Sequence, residues 1–184
     1  MKSLILLLTP LLALTSATPL KKRWPTSAKL TPAAISQYTV NTGAINYDTT
    51  KGLVSKPGNG NDITTLVTFN IPALPSGTKC SLAFYLPPDS SSIATGSKKL
   101  DIFSSNGPAP GSRSTWPPGN QRNQHLGRWN VVVGSDASWE SGFPITGQSF
   151  DCPVAGSYGY EVVGVYDLDR VEWDGGVGGV YMMW

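Results

Sequence analysis

The sequence predicts an all-β fold: an antiparallel β-sandwich, jelly-roll-like, forming a single domain tied by one disulfide. Three observations carry this. Short runs alternate apolar and polar residues with the period of a strand that buries one face. Roughly nine such runs are separated by turn signals, the pattern of a sandwich, in a chain holding 20 Gly and 15 Pro. The two cysteines, Cys80 and Cys152, lie behind a secretory leader, where an even pair reads as one disulfide. No internal repeat of fixed period occurs, which removes propellers and solenoids.

The elements follow in order. Residues 1–17, MKSLILLLTPLLALTSA, place one lysine before an apolar run and end in small residues, so they read as a secretory signal peptide cut after Ala17. The run is too short for a membrane span, and no other stretch of about 18 apolar residues follows, so no membrane partner is expected. Residues 18–23 read as a pro-segment ending in the dibasic processing site Lys22-Arg23, which leaves Trp24 first. Residues 24–35 carry Pro, Ser and Thr and are expected to be a mobile, extended lead-in that could hold O-glycans. Residues 36–184 form the sandwich. No Asn-x-Ser/Thr triplet occurs, so N-glycans are not expected.

Within the domain, SQYTVNTGAINY and GLVS read as a first hairpin region, closed by the breaker KPGNGND. DITTLVTFNIP puts Val67, Phe69 and Ile71 on one side. TKCSLAFYLP does the same with Cys80, Leu82, Phe84 and Leu86, so Cys80 falls on the buried face. KKLDIFSS is the next strand. The breaker NGPAPGSRSTWPPGN leads to RWNVVVG, where Trp129, Val131 and Val133 alternate inward. ASWES is short, and GYEVVGVYDL, RVEW and GGVYMMW complete the set, with Trp173 in phase with the core.

Charge excludes one class of partner. The chain is formally +2, but Lys2, Lys21, Lys22 and Arg23 leave during processing, which takes 14 basic residues to 10 against 12 acidic ones. A net charge of −2, without a basic stripe bearing interleaved aromatics, does not point to nucleic acid.

His125 is the one histidine, and neither H-E-x-x-H nor G-x-S-x-G occurs. No catalytic residue is therefore assigned, and no metal or cofactor is expected. Arg122 and Arg128 flank His125 in GNQRNQHLGRW. Guanidinium forks bond loop carbonyls and carboxylates as readily as they recognise anions, so the stretch is either a pinned loop or an anion-recognising surface. Trp116 and Trp139 lie in loops, where an exposed indole would stack on a sugar face, although tryptophan also closes the ends of sandwiches. Arg122, His125, Arg128, Trp116 and Trp139 are the candidate binding residues.

DLDRVEWDGG sets Asp167, Asp169, Glu172 and Asp174 within eight positions. An EF-hand loop fails, with Val171 fifth and Glu172 sixth from Asp167. GGVGGV lacks the aspartate of Gly-rich calcium repeats. Alternation explains the cluster: Asp167 and Asp169 flank an inward Leu168, and Glu172 and Asp174 alternate with Val171 and Trp173. The acids are thus expected on the wet face of a strand, with Arg170 at a bulge or turn. A weak calcium site and a glycosidase-like carboxylate pair are the alternatives.

TWPPGNQRNQHLGRWNVV, CPVAGSYGYEVVGVYDLD and VEWDGGVGGVYM resemble the family described as the C-terminal domain of fungal ubiquitin 3 binding proteins. FNIP, CSLAFYLP and KLDIF fall where that family has its opening block, and the likeness covers residues 36–184. It implies a fungal, largely secreted, Cys-paired β-domain with no assigned catalytic residue, so none is carried onto Arg122, Arg128, Trp173 or Asp174. The family name implies a partner in ubiquitin-like conjugation, an intracellular process, whereas the leader implies export.

The expectation is a secreted, non-catalytic binding or cell-surface module, its partner a cell-wall polysaccharide or an extracellular protein. A structural wall protein and a glycoside-active enzyme using a carboxylate pair are the alternatives. Exposed tryptophans in a row would mark the first, a flat polar surface the second, and two carboxylates within about 10 Å in a cleft the third.

Overall fold

The computed structural model describes residues 24–109 and 121–184. Ala17, Lys22, Arg23 and Trp116 lie outside the described residues, and leader cleavage and dibasic processing with them.

The strands are β1 (Ala34–Thr39), β2 (Ala44–Asn46), β3 (Lys51–Lys56), β4 (Ile63–Ile71), β5 (Lys79–Leu86), β6 (Ile93–Thr95), β7 (Lys99–Ser105), β8 (Arg122–Asn130), β9 (Ser135–Asp136), β10 (Ser138–Trp139), β11 (Phe150–Asp151), β12 (Gly156–Gly164), β13 (Asp169–Asp174) and β14 (Gly179–Met183). Five of these, β2, β6, β9, β10 and β11, are only two or three residues long, too short for alternation to show in sequence. Ten strands form one antiparallel sheet in the order β10-β8-β7-β12-β4-β3-β13-β6, with β1 on β4 and β2 on β1. The second sheet has four strands, with β5 between β14 on one side and β9 and β11 on the other.

The two sheets pack face to face. The large one contributes Val67, Phe69, Ile71, Leu100, Ile102, Trp129, Val162, Val171 and Trp173 to the core; the small one contributes Cys80, Leu82, Phe84, Leu86, Val180 and Met182. Phe84 sits between Trp129 and Trp173, with ring centroids 5.8 and 5.0 Å away. Burying each such side chain stabilises the fold by about 1.5–3 kcal/mol. The Trp173 indole lies over its cross-strand partner Gly52, where a Cβ would come within 2.0 Å of the ring. Only glycine leaves that slot open.

Cys80 and Cys152 are bonded, with Cα atoms 4.9 Å apart and a sequence separation of 72. The bond joins β5 to the connection between β11 and β12, and so ties the small sheet to a segment entering the large one. Beside it, Cys152 N–H donates to the Thr78 carbonyl at 3.0 Å.

Two expectations are corrected. Val133, which alternation places inward, is exposed together with Val132. β8 ends at Asn130, Val131 N–H donates to Lys98, and the chain then crosses to the small sheet, where Gly134 N–H donates to Leu86. The ordered fold also begins before residue 36. β1 starts at Ala34, and Leu30 bridges Met182 at the outer edge of β14, donating at 3.1 Å and accepting at 2.9 Å. Trp24 meets Tyr181 edge-on with centroids 6.1 Å apart. An edge strand leaves N–H and C=O groups unpaired, and this segment satisfies some of them.

In the middle of the large sheet both faces are covered. Six consecutive residues of β4, Thr64 to Phe69, are buried. On the outer side Tyr38, Leu66 and Ala109 form a second small cluster, and Thr68 Oγ1 donates to the Ala109 carbonyl at 3.0 Å.

Candidate functional site

β8, β7 and β12 lie side by side in the large sheet. Leu100, Ile102, Leu126, Trp129, Tyr160 and Val162 point into the core. The intervening residues share the outer face, with Asp101 opposite Arg128, and Phe103 opposite both His125 and Glu161. In strict alternation His125 would face away from Arg122 and Arg128. Register shifts on either side of Phe103 break the period and return His125 to the face of the arginines.

The face is built from two buried or half-buried ion pairs and a pile of planar groups. Arg122 Nε and Nη2 donate to Glu161 Oε2 and Oε1 at 3.0 and 2.8 Å, and Thr64 Oγ1 adds a third bond at 2.8 Å. Glu161 is only 1% exposed. Arg128 Nε and Nη2 donate to the two Asp101 oxygens at 2.6 and 2.9 Å. That hydrogen bonding holds the Arg128 guanidinium above its ordinary pKa, outweighing the opposing effect of burial. His125 stacks on Phe103 at 4.7 Å; its Nε2 donates to the Gly127 carbonyl at 3.0 Å and lies 3.3 Å from Asp101 Oδ1.

Cation–π contacts join these groups into a row. The Arg122 guanidinium lies 4.8 Å over Phe103, and that of Arg128 lies 3.8 Å over Phe143 and 5.9 Å from the Tyr166 ring. Arg122, Phe103, His125, Phe143, Arg128 and Tyr166 thus succeed one another along β8, ending at Tyr166, which is 53% exposed. Arg122 to Arg128 is therefore a strand and not a loop. Its guanidinium forks are bonded to carboxylates of neighbouring strands, so the face presents planar groups whose charges are already compensated.

Trp139 is not a surface ring on a loop. It belongs to β10, opposite Trp129 at 4.9 Å, and its indole lies against Gly127 and Gly147, where a Cβ would fall 2.4 and 2.6 Å from it. It closes the sandwich edge. Asp101, Phe103, Phe143, Glu161 and Tyr166 were not legible as site residues. Glu161 alternates outward in GYEVVGV, which reads as solvent; nothing local shows that Arg122, 39 residues earlier, covers it.

The acids of DLDRVEWDGG separate, which corrects the reading of a uniformly wet face. Leu168 takes a φ of 63° and is 74% exposed. The turn inverts the alternation, so Asp169 enters β13 in phase with Val171 and Trp173 and is 2% exposed. Its carboxylate accepts from Ser97 N–H and Ser97 Oγ, and from Tyr166 N–H at 3.4 Å. Asp167 remains exposed. Glu172 lies between Lys51 at 2.8 Å and Arg170 at 2.6 Å, and the bond from Lys51 holds its carboxyl below the usual carboxylate range. Asp174 Oδ1 accepts from Gly176 N–H at 2.8 Å within a turn. Arg170 is an exposed strand residue, not a bulge.

Among the described residues no three His, Cys, Asp or Glu side chains converge as a metal would need. Millimolar calcium is expected to leave the Tm unchanged. Asp169→Ala should lower it by roughly 3–10 °C, because orphaning a buried partner costs about 1–3 kcal/mol. Thermal unfolding with calcium or EDTA checks both; an EDTA-reversible stabilisation would overturn the assignment of these acids to structural bonds.

The family model described as "Ubiquitin 3 binding protein But2 C-terminal domain" matches residues 30–173, and the chain belongs to that family. The match contains the whole row and stops at Trp173, before β14. No curated protein matches the chain.

Proposed function

We propose that this member of the But2 C-terminal domain family is exported and works outside the cell as a non-catalytic binding module for a cell-wall polysaccharide. The row along β8 carries the reading. Its half-exposed rings and forks are locked by Glu161, Asp101 and their own stacking, so a ligand would order few side chains on arrival. From Arg122 to Arg128 the strand runs about 20 Å, long enough to follow several sugar rings. Pairwise compensation of charge favours an uncharged polymer over a polyanion. The leader and the Lys22-Arg23 pair support the route outward. Asp101 and Glu161 each commit both oxygens to an arginine, an arrangement suited to holding a surface rigid rather than to moving protons.

Cosedimentation of the secreted protein with insoluble β-glucan, chitin and mannan tests this. At least one should retain it, and Tyr166→Ala should weaken retention about three- to tenfold at unchanged Tm, the range expected for one aromatic contact. Retention on none of the three, or capture of an extracellular protein instead, rejects the reading.

A further inference from the structure

On the opposite side of β8 from the row, a cavity of about 220 Å³ opens at the end of the sandwich. Tyr160, Ser104, Gln124 and Thr146 form its polar lining, and Leu126, Phe150 and Pro153 its apolar wall. None of these side chains is charged at neutral pH, and burial pushes the Tyr160 phenol further from ionisation, up to about 12.

Tyr160 marks the cavity as more than a packing defect. The residue is 6% exposed, its ring packs edge-on against Phe69 at 5.8 Å, and its hydroxyl has no hydrogen-bond partner among the described residues. The hydroxyl oxygen is not sealed from solvent but opens into the cavity, where it can bond to whatever fills it. The Gln124 backbone N–H donates to Ser104 Oγ at 3.1 Å and fixes that hydroxyl, while the Gln124 side chain is exposed at the cavity rim. The volume is below the roughly 300–1,000 Å³ of pockets for drug-sized ligands. It admits one ring, not a chain.

We propose that this cavity takes a single uncharged, hydroxyl-bearing ring, the terminal residue of a glycan. The Tyr160 hydroxyl donates to it, Gln124 and Thr146 face its hydroxyl edge, and Leu126 and Phe150 lie against its apolar face. The assignment rests on the reading of the chain as a glycan-binding module. Cavity and row lie on opposite faces of β8, which lets the two be tested apart.

The probes are the methyl glycosides of glucose, mannose and N-acetylglucosamine, titrated into the ¹⁵N-labelled secreted protein. One of them should give saturable shifts at Gln124, Leu126, Thr146 and Tyr160. Tyr160→Phe removes only the hydroxyl and should weaken that binding about five- to tenfold at unchanged Tm, as expected for one lost hydrogen bond. Tyr166→Ala should leave it unaltered. Silence from all three probes up to their solubility limits, or equal affinity in Tyr160→Phe, overturns the cavity assignment even if polysaccharide retention persists. Loss of polysaccharide retention with sugar binding intact leaves the cavity standing and rejects only the role of the row.

Discussion

Arg122→Ala is expected to destabilise the domain by about 3–5 kcal/mol, because it leaves a buried carboxylate without its cation. Glu161 would keep only the bond from Thr64, at a position 1% exposed. The reverse substitution should cost less. Arg122 keeps 26% of its side chain exposed, so in Glu161→Ala the guanidinium still reaches water. A double variant, Arg122→Ala with Glu161→Leu, should recover most of the loss, since an apolar replacement of a buried pair is often neutral. Urea unfolding of the three proteins measures this. A loss under about 1 kcal/mol in Arg122→Ala, the scale of an exposed pair, would show that the pair does not hold β8 to β12.

Removing the disulfide with Cys80→Ala and Cys152→Ala should have a comparable effect. The entropic model gives about 4 kcal/mol for a loop of 72 residues. Native pairing of Phe150 with Cys80 and of Asp151 with Lys79 survives the change, but the unfolded chain loses its cross-link entirely. A Tm lower by roughly 8–15 °C follows for a domain of this size. Reductant should lower the wild-type protein by a similar amount and leave the variant unmoved. A variant melting within about 2 °C of wild type would show that strand pairing alone closes this loop.

The strands and the core were readable in advance because period-2 alternation is a local property. Val67, Phe69 and Ile71, and then Cys80, Leu82, Phe84 and Leu86, point inward as their spacing requires. A central strand is harder to read. β4 is buried on both faces, so its outward Leu66 and Thr68 meet Tyr38 and Ala109, not water. The small sheet's outer edge was likewise invisible: Ser27 reaches Tyr181 across 154 residues, and nothing in TSAKLTP announces it.

Amino-acid order alone established an antiparallel all-β chain, the phase of its long strands and the cysteine pair, because each depends on neighbours two residues apart or on composition. Tertiary structure decided the site. Alternation divides a strand into two faces but does not say what lies across either one. A bulge at Phe103 turns His125 toward the arginines, the positive φ of Leu168 carries Asp169 inward, and Arg122 seals Glu161 from water. Each is a one-residue change of phase or a contact made from a distant strand, and backbone geometry and packing set it, not the local pattern.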